Sequence, residues 1–207
     1  MAPMELEDVL RRRRMVRRYS AEPVDRDLVD RALRNAVRAP SAGFSQGWAF
    51  LVLDEAADVA RFWAATTPPE RAEQPDPWLL GMRAAPVVIV PMSSQTIYER
   101  RYAESDKGWA PHRGERWSVP YWHLDTAMAS LLILLTAVDQ GLGSCFFGIP
   151  PGSQAGLLRE FGVPDEFTPV GAITLGYEAP GGTPGGSPRS RPRRPMQDVV
   201  HRGHWHG

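Results

Sequence analysis

The most constraining stretch of this chain is Ala127 to Val138, an apolar run closed at each end by a carboxylate, Asp125 and Asp139. A membrane-spanning helix needs about 20 apolar residues, and this run is shorter. It sits within Tyr121 to Gln140, the longest helical pattern in the sequence, with Gly141 placed to stop it. We therefore expect a core helix that the rest of the chain must cover. The N-terminus is acidic and then basic, with no apolar core of a secretory signal. A cytoplasmic protein with no membrane segment is the simplest expectation.

The remaining chain offers material to cover such a helix. Its 207 residues fit one domain, or one domain with an arm. Helical patterns run from Met4 to Met15, Val24 to Arg38 and Ser153 to Phe161. Another starts after Asp54, a candidate cap, and reaches about Ala65. Strand patterns cover Trp48 to Leu53, Ser144 to Ile149 and Thr168 to Tyr177. Pro86 to Met92 is β-branched and continuous, as in a central strand buried on both faces. Pro68 to Pro77 reads as a polar connection, and Ser93 to Pro120 as a less regular region carrying several aromatics. From Glu178 the chain turns rich in Gly, Pro, Ser and Arg, then regains apolar residues at Met196, Val199, Val200 and Trp205. That pattern suits an extended arm docking on a partner subunit. Helices alternating with a few strands leave α/β and α+β both open.

The chemistry concentrates in charge. Lys plus Arg (24) equal Asp plus Glu (24), so nothing general draws this protein to nucleic acid or acidic membranes. Yet Arg11, Arg12, Arg13, Arg14, Arg17 and Arg18 crowd one short segment. Guanidinium forks suit phosphate because they are planar, always charged and bidentate. Arg13 and Arg17 are four apart, a spacing that lets both approach the same anion. A solvated helix end is the plainer account of the same residues. A second cluster, Arg189, Arg191, Arg193 and Arg194, lies in the arm and by itself reads as a solvated linker.

Other chemistries lack their motifs. There is no GxxxxGK[ST] loop, no full dinucleotide fingerprint around Gly141 to Gly143, and no GxSxG elbow. His201, His204 and His206 crowd the C-terminal end without a carboxylate or cysteine at zinc-type spacing, so no metal site is assigned. The single cysteine, Cys145, excludes an intrachain disulfide and sits in an apolar strand as a core residue would.

Taken in order, five segments resemble the FMN-dependent nitroreductase superfamily. They are RRMVRRY (Arg13 to Tyr19), APSAGFSQGW (Ala39 to Trp48), GLGSCFFGIP (Gly141 to Pro150), PVGAITLGY (Pro169 to Tyr177) and RPRRP (Arg191 to Pro195). The resemblance spans nearly the whole chain as a single domain, with 93–120 as a lid or insertion and 178–207 as the arm. It implies an α+β fold, a mainly antiparallel sheet flanked by helices, and a homodimer that exchanges C-terminal arms. It implies FMN at the subunit interface, with NAD(P)H as electron donor and a small organic acceptor such as a nitroaromatic or quinone. Transfer would follow a ping-pong course through the flavin N5. No protein side chain is assigned a catalytic role, because the chemistry belongs to the flavin.

Carried across by motif, Arg13, Arg14 and Arg17 hold the cofactor, with Met15 contributing its backbone where the family often has serine. Arg191 and Arg193 supply the second pair of phosphate ligands. Pro40, Ser41, Ala42, Gly43, Phe44 and Gln46 form the loop laid on the flavin from the other subunit; Phe44 stands where an asparagine is frequent. Phe146, Phe147, Gly148 and Ile149 bring backbone N–H groups to the flavin edge. Phe44, Tyr102, Trp109 and Trp117 are the candidate substrate contacts. Two alternatives share the fold or the cofactor. One is a BluB-like flavin-fragmenting enzyme, whose Gly-Phe-x-Gln loop Gly43 to Gln46 resembles. It departs at Gly148, where a serine belongs, and at a missing aspartate in the first motif. The other is a protein that sequesters flavin without turnover.

Overall fold

The structure is a computed structural model that describes residues 4–107, 117–181 and 190–205. Its centre is strand β2 (Val87–Ser93), every residue of which is buried. Side chains alternate across a strand, and here they feed two separate cores. Val88, Val90 and Met92 enter one, while Val87 and Ile89 enter the other. A strand buried on both faces needs ladder partners along both edges. They are β1 (Trp48–Leu53) on one side and β5 (Ala172–Gly176) on the other. Strand β3 (Gly143–Phe147) pairs outside β5, and the short β4 (Thr168–Pro169) pairs with the far end of β2. The order is β1-β2-β5-β3 and all of these pairings are antiparallel, so the architecture is α+β.

Helices cover both faces. On one face α2 (Arg26–Ala36) and α7 (Tyr121–Asp139) pack through Val29, Ala32, Ala36, Ala129, Ile133 and Ala137. Small alanines at this contact let the two helices lie close together. On the other face α3 (Ala56–Thr66), α5 (Pro77–Arg83) and α8 (Pro151–Glu160) contribute Phe62, Trp63, Leu79, Met82 and Leu157. Trp63 and Phe147 stack there with ring centroids 5.6 Å apart. Among the described residues, α7 alone has the length and mean hydropathy to span a membrane, yet its inner face is core. Gly141 stops it in a left-handed conformation (φ 78°), as its position suggests.

Several expectations need correction. The first helix, α1, spans Leu6–Arg12 and does not reach Met15, because the following residues bond to the sheet instead. Asp54 does not cap α3; Glu55 holds the cap position and Asp54 pairs with Arg26 at 3.2 Å. Pro68 to Pro77 is not simply a connection. Prolines at the first helical positions start α4 (Pro69–Glu73) and α5, and the Asp76 side chain caps α5 at Leu79 N–H, 2.7 Å. The Ser93 to Pro120 region holds a regular helix, α6 (Gln95–Tyr102), capped by Ser94 Oγ. Finally, Thr168 to Tyr177 is two strands. Ile89 pairs with Ile173 but Met92 pairs with Pro169, so the strand opposite β2 carries one extra residue, a bulge. Pro91 has no N–H to offer the ladder at that point, and its carbonyl accepts from Val170 N–H at 2.9 Å.

Packing demand is highest along β2, which is buried on both faces. Ile89→Ala, at a fully buried position, is expected to cost about 2–5 kcal/mol in denaturant unfolding with an unchanged m-value. A loss below about 1 kcal/mol would contradict a close-packed two-sided core.

Candidate functional site

The arginine segment is built by the sheet. After Arg12 the chain extends, and Met15 forms a parallel bridge with Ser144 of β3. Val16 N–H donates to the Ser144 carbonyl at 2.9 Å, and Ser20 N–H to the Tyr177 carbonyl at 2.9 Å. Val16 and Tyr19 are buried and act as the anchors. A Cβ on Gly143 would lie 2.9 Å from the Val16 methyls, so only glycine admits this approach. The Tyr19 hydroxyl donates to the Val16 carbonyl at 2.8 Å and lies 2.9 Å from Thr174 Oγ1; burial pushes its phenol well up.

With its apolar anchors inside, the segment presents its arginines outside. Arg11, Arg12, Arg13 and Arg14 line a cavity of about 700 Å³ together with Val16, Leu142, Gly143 and Glu178. Glu178 forms an ion pair with Arg14, which offsets part of the positive charge. Arg17 is not among the described residues lining the cavity. Its Nη1 donates to the Met15 carbonyl at 3.4 Å, and its charge opposes the rise that burial imposes on the Cys145 thiol. Arg13 and Arg17 are therefore not related by a helical turn. Met15 does more than supply backbone, since its sulfur accepts the Phe146 N–H at 3.4 Å. This ties the arginine segment to the outgoing end of β3.

At that end the four predicted residues separate. Phe147 belongs to the aromatic core, Phe146 packs over Gly171, and Ile149 is buried. Gly148 is exposed, and a Cβ built on it would meet nothing within 4 Å. Its backbone is open to a ligand. The arginine cavity lies beside Gly141 to Gly143 at the start of β3, whereas Gly148 follows its other end and lines a separate small cavity with Trp63 and Trp78.

The Pro40 to Gln46 loop contains a short 3-10 turn, Ala42–Phe44. Gly43, Phe44 and Gln46 all have positive φ (63°, 55° and 50°), which is unfavourable for the two that carry side chains. Phe44 is 73% exposed. The loop is braced from within and by two groups, on α7 and α6, that the sequence does not mark as part of the site. Asp125 Oδ2 accepts the Ala42 N–H at 2.9 Å, and Arg101 Nε donates to the Gly43 carbonyl at 2.9 Å. Ser41 Oγ accepts the Gln46 N–H at 2.8 Å. The only signal for Asp125 in the sequence is a carboxylate set at the edge of the most apolar run.

Tyr102 and Trp117 lie behind this loop. The Tyr102 ring is close enough that a Cβ on Gly43 would meet it at 2.8 Å. Both residues join Tyr98 and Trp122 in an edge-to-face aromatic cluster. Trp109 lies outside the described residues, as do Arg189 and His206. Arg191 and Arg193 are exposed on the tail, and neither is among the described residues lining the arginine cavity. The tail's His201 stacks on Trp205, ring centroids 4.0 Å apart.

Residues 10–177 match the model of the nitroreductase family. A protein of Methanothermobacter thermautotrophicus described as an NADH dehydrogenase/NAD(P)H nitroreductase is 26% identical over 86% of this chain and 80% of its own length. Among solved structures, a nitroreductase family protein from Clostridium difficile superposes with a TM-score of 0.71 at 19% identity, covering 98% of this chain and 100% of that one. A protein from Desulfovibrio desulfuricans described as a nitroreductase and crystallised in complex with FMN gives 0.69 at 23% identity over 99% of each chain. These superpositions establish a shared fold.

A titration tests the local geometry near the loop. His123 Nδ1 lies 2.7 Å from Ser93 Oγ at the end of β2, and burial lowers its pKa from 6.5. The sign follows from linkage: the folded state prefers the neutral ring. Its contribution is present above the unfolded value of about 6.5 and is lost as pH falls through the folded value. An NMR titration of His123 is expected to show a midpoint below 6.5; a midpoint at or above that value would contradict the placement.

Proposed function

Because this chain belongs to the nitroreductase family, we propose that it is an FMN-dependent oxidoreductase that passes electrons from NAD(P)H to a small organic acceptor, such as a nitroaromatic or a quinone. The observation that carries this reading is a cavity walled by arginines on a segment that is bonded along β3. Arg13 and Arg14 line the cavity, and Met15 ties their segment to β3, the strand that leads out to Gly148. The cavity volume lies within the range of about 300–1,000 Å³ usual for cofactor sites.

FMN, when bound, supplies the hydride acceptor and donor that this residue set lacks. Arg13 and Arg14 would hold the phosphate through charge-assisted hydrogen bonds. Arg191 and Arg193 would close on it from the tail. The exposed backbone at Gly148 would approach the flavin edge, and the positive wall favours negative charge on whatever is bound there.

A homodimer is part of this reading. Tyr121, Leu124, Met128 and Leu131 form an exposed apolar stripe along α7, spaced three or four residues apart. Met196, Val199, Val200 and Trp205 leave the tail equally uncovered, Trp205 at 82% exposure. Contiguous apolar surface of this kind marks an interaction site. A second copy would cover the stripe, receive the tail, and bring its own Pro40 to Gln46 loop over the cofactor. We place the protein in the cytoplasm on the same reading.

Flavin fluorescence quenching tests the site. The purified protein is expected to bind FMN, and Arg13→Gln with Arg191→Gln is expected to weaken binding without unfolding the protein. Each hydrogen bond to a charged group is worth about 1.5–3 kcal/mol, or roughly 10- to 150-fold in affinity. Equal affinity in the double variant would remove the arginines from the site, and failure of the wild type to bind FMN would overturn the function.

A further inference from the structure

Asp125 is 3% exposed, and among the described residues no arginine, lysine or histidine forms an ion pair with it. A buried carboxylate without a counter-ion is unfavourable unless its hydrogen bonds return what desolvation takes away. The hydrogen bond it makes across the fold goes to the Ala42 N–H, 2.9 Å away and 83 positions distant in sequence. Two peptides further along, the turn is gripped from another element. Arg101 Nε donates to the Gly43 carbonyl at 2.9 Å, and its terminal nitrogens are fixed by both oxygens of Asp106 at 2.7 Å each. The turn is thus held at one N–H by α7 and at one carbonyl by α6.

What the grip maintains is an unfavourable backbone. Phe44 and Gln46 sit in the left-handed region at φ 55° and 50°, where a side chain crowds its own carbonyl. Such conformations persist where surrounding contacts over-determine them, and they cluster at functional sites. Tyr102 closes the space beneath Gly43, so the turn cannot relax inward. Phe44 is left at the apex, with most of its ring in solvent. An aromatic ring in that position gains nothing for the isolated chain. It gains a role if a flat ring system is presented to it.

We propose that Asp125 is a positioning residue. With Arg101 as its counterpart, it pre-sets the Pro40 to Gln46 turn so that Phe44 stands ready to pack against a planar aromatic acceptor. This rests on the function proposed above, in which the turn faces a cofactor. It adds residues from α6 and α7 that set acceptor selection without touching the acceptor themselves.

Two measurements test it. The first needs no cofactor: in the FMN-free protein, Asp125→Ala is expected to raise amide hydrogen exchange across residues 41–46 by roughly tenfold or more, while the β2 amides keep their protection. Asp125→Asn, which retains an acceptor oxygen, is expected to restore most of the protection. The second uses the FMN-loaded protein with NAD(P)H and a naphthoquinone. Asp125→Ala is expected to raise KM for the quinone at least several-fold with a smaller change in kcat. Phe44→Ala is expected to do the same, and the double variant is expected to be no worse than Phe44→Ala alone. If the two effects multiply, or if exchange across 41–46 is unchanged, Asp125 does not act through this turn. Should Asp125→Ala fail to fold, Arg101→Gln and Asp125→Leu carry the same comparison, with Asp125→Asn as the variant expected to stay near wild type. A wild type that binds no FMN overturns the underlying function and this inference with it. A wild type that turns over normally beside variants indistinguishable from it overturns the inference alone.

Discussion

The arginines are placed by two side chains that are not arginines. Val16 and Tyr19 are buried beside β3 and β5, and the backbone around them bonds to Ser144 and Tyr177 rather than continuing α1. Sheet hydrogen bonds and two buried apolar groups outweigh the few backbone bonds that three more helical residues would add. The side chains of Arg11 to Arg14, which lead up to the first anchor, then face solvent or the cavity. Positive charge is concentrated in a neutral protein because the anchors are inside and their neighbours cannot be. Everything proposed for the site depends on that capture.

A second constraint acts on what the chain leaves uncovered. α7 buries Ala129, Ile133 and Ala137 against the sheet, yet shows Leu124, Met128 and Leu131 on its other side. The tail shows Val199, Val200 and Trp205. One surface accepts an apolar helix or strand and the other offers an extended apolar segment. In the homodimer proposed above, a second chain would satisfy both at once and would bring the exposed Phe44 turn of one chain toward the arginine wall of the other. Cofactor binding and dimerisation are, on this account, one design.

Much of the fold is legible in the residues. The continuous β-branched run of β2, the apolar run of α7 and the stop at Gly141 all carry local patterns strong enough to survive tertiary packing. Short elements do not. Pro69 and Pro77 read as breaks, but a proline in the first turn also begins a helix, and only context separates the two. The end of α1 and the bulge opposite Pro91 are settled by partners far along the chain, which no local period encodes. The same holds at the site. The arginines, Gly148 and the Phe44 loop stand out by composition and motif order. Asp125 and Arg101 do not, because each gains its role from one contact with a peptide in the 42–43 turn. Met15 shows the limit from the other side: in sequence it looks like a lost serine, and in the structure its sulfur bonds to β3.

We propose that a cavity walled by arginines, on a segment bonded along β3, serves two-step electron transfer through FMN. Anaerobic stopped-flow absorbance of the FMN-loaded protein tests this most directly. Mixing with NAD(P)H should bleach the flavin band near about 450 nm, and a later pulse of quinone or nitroarene should restore it at a rate compatible with steady-state turnover. A bound flavin that NAD(P)H does not bleach, or that stays bleached when acceptor is added, would contradict the account.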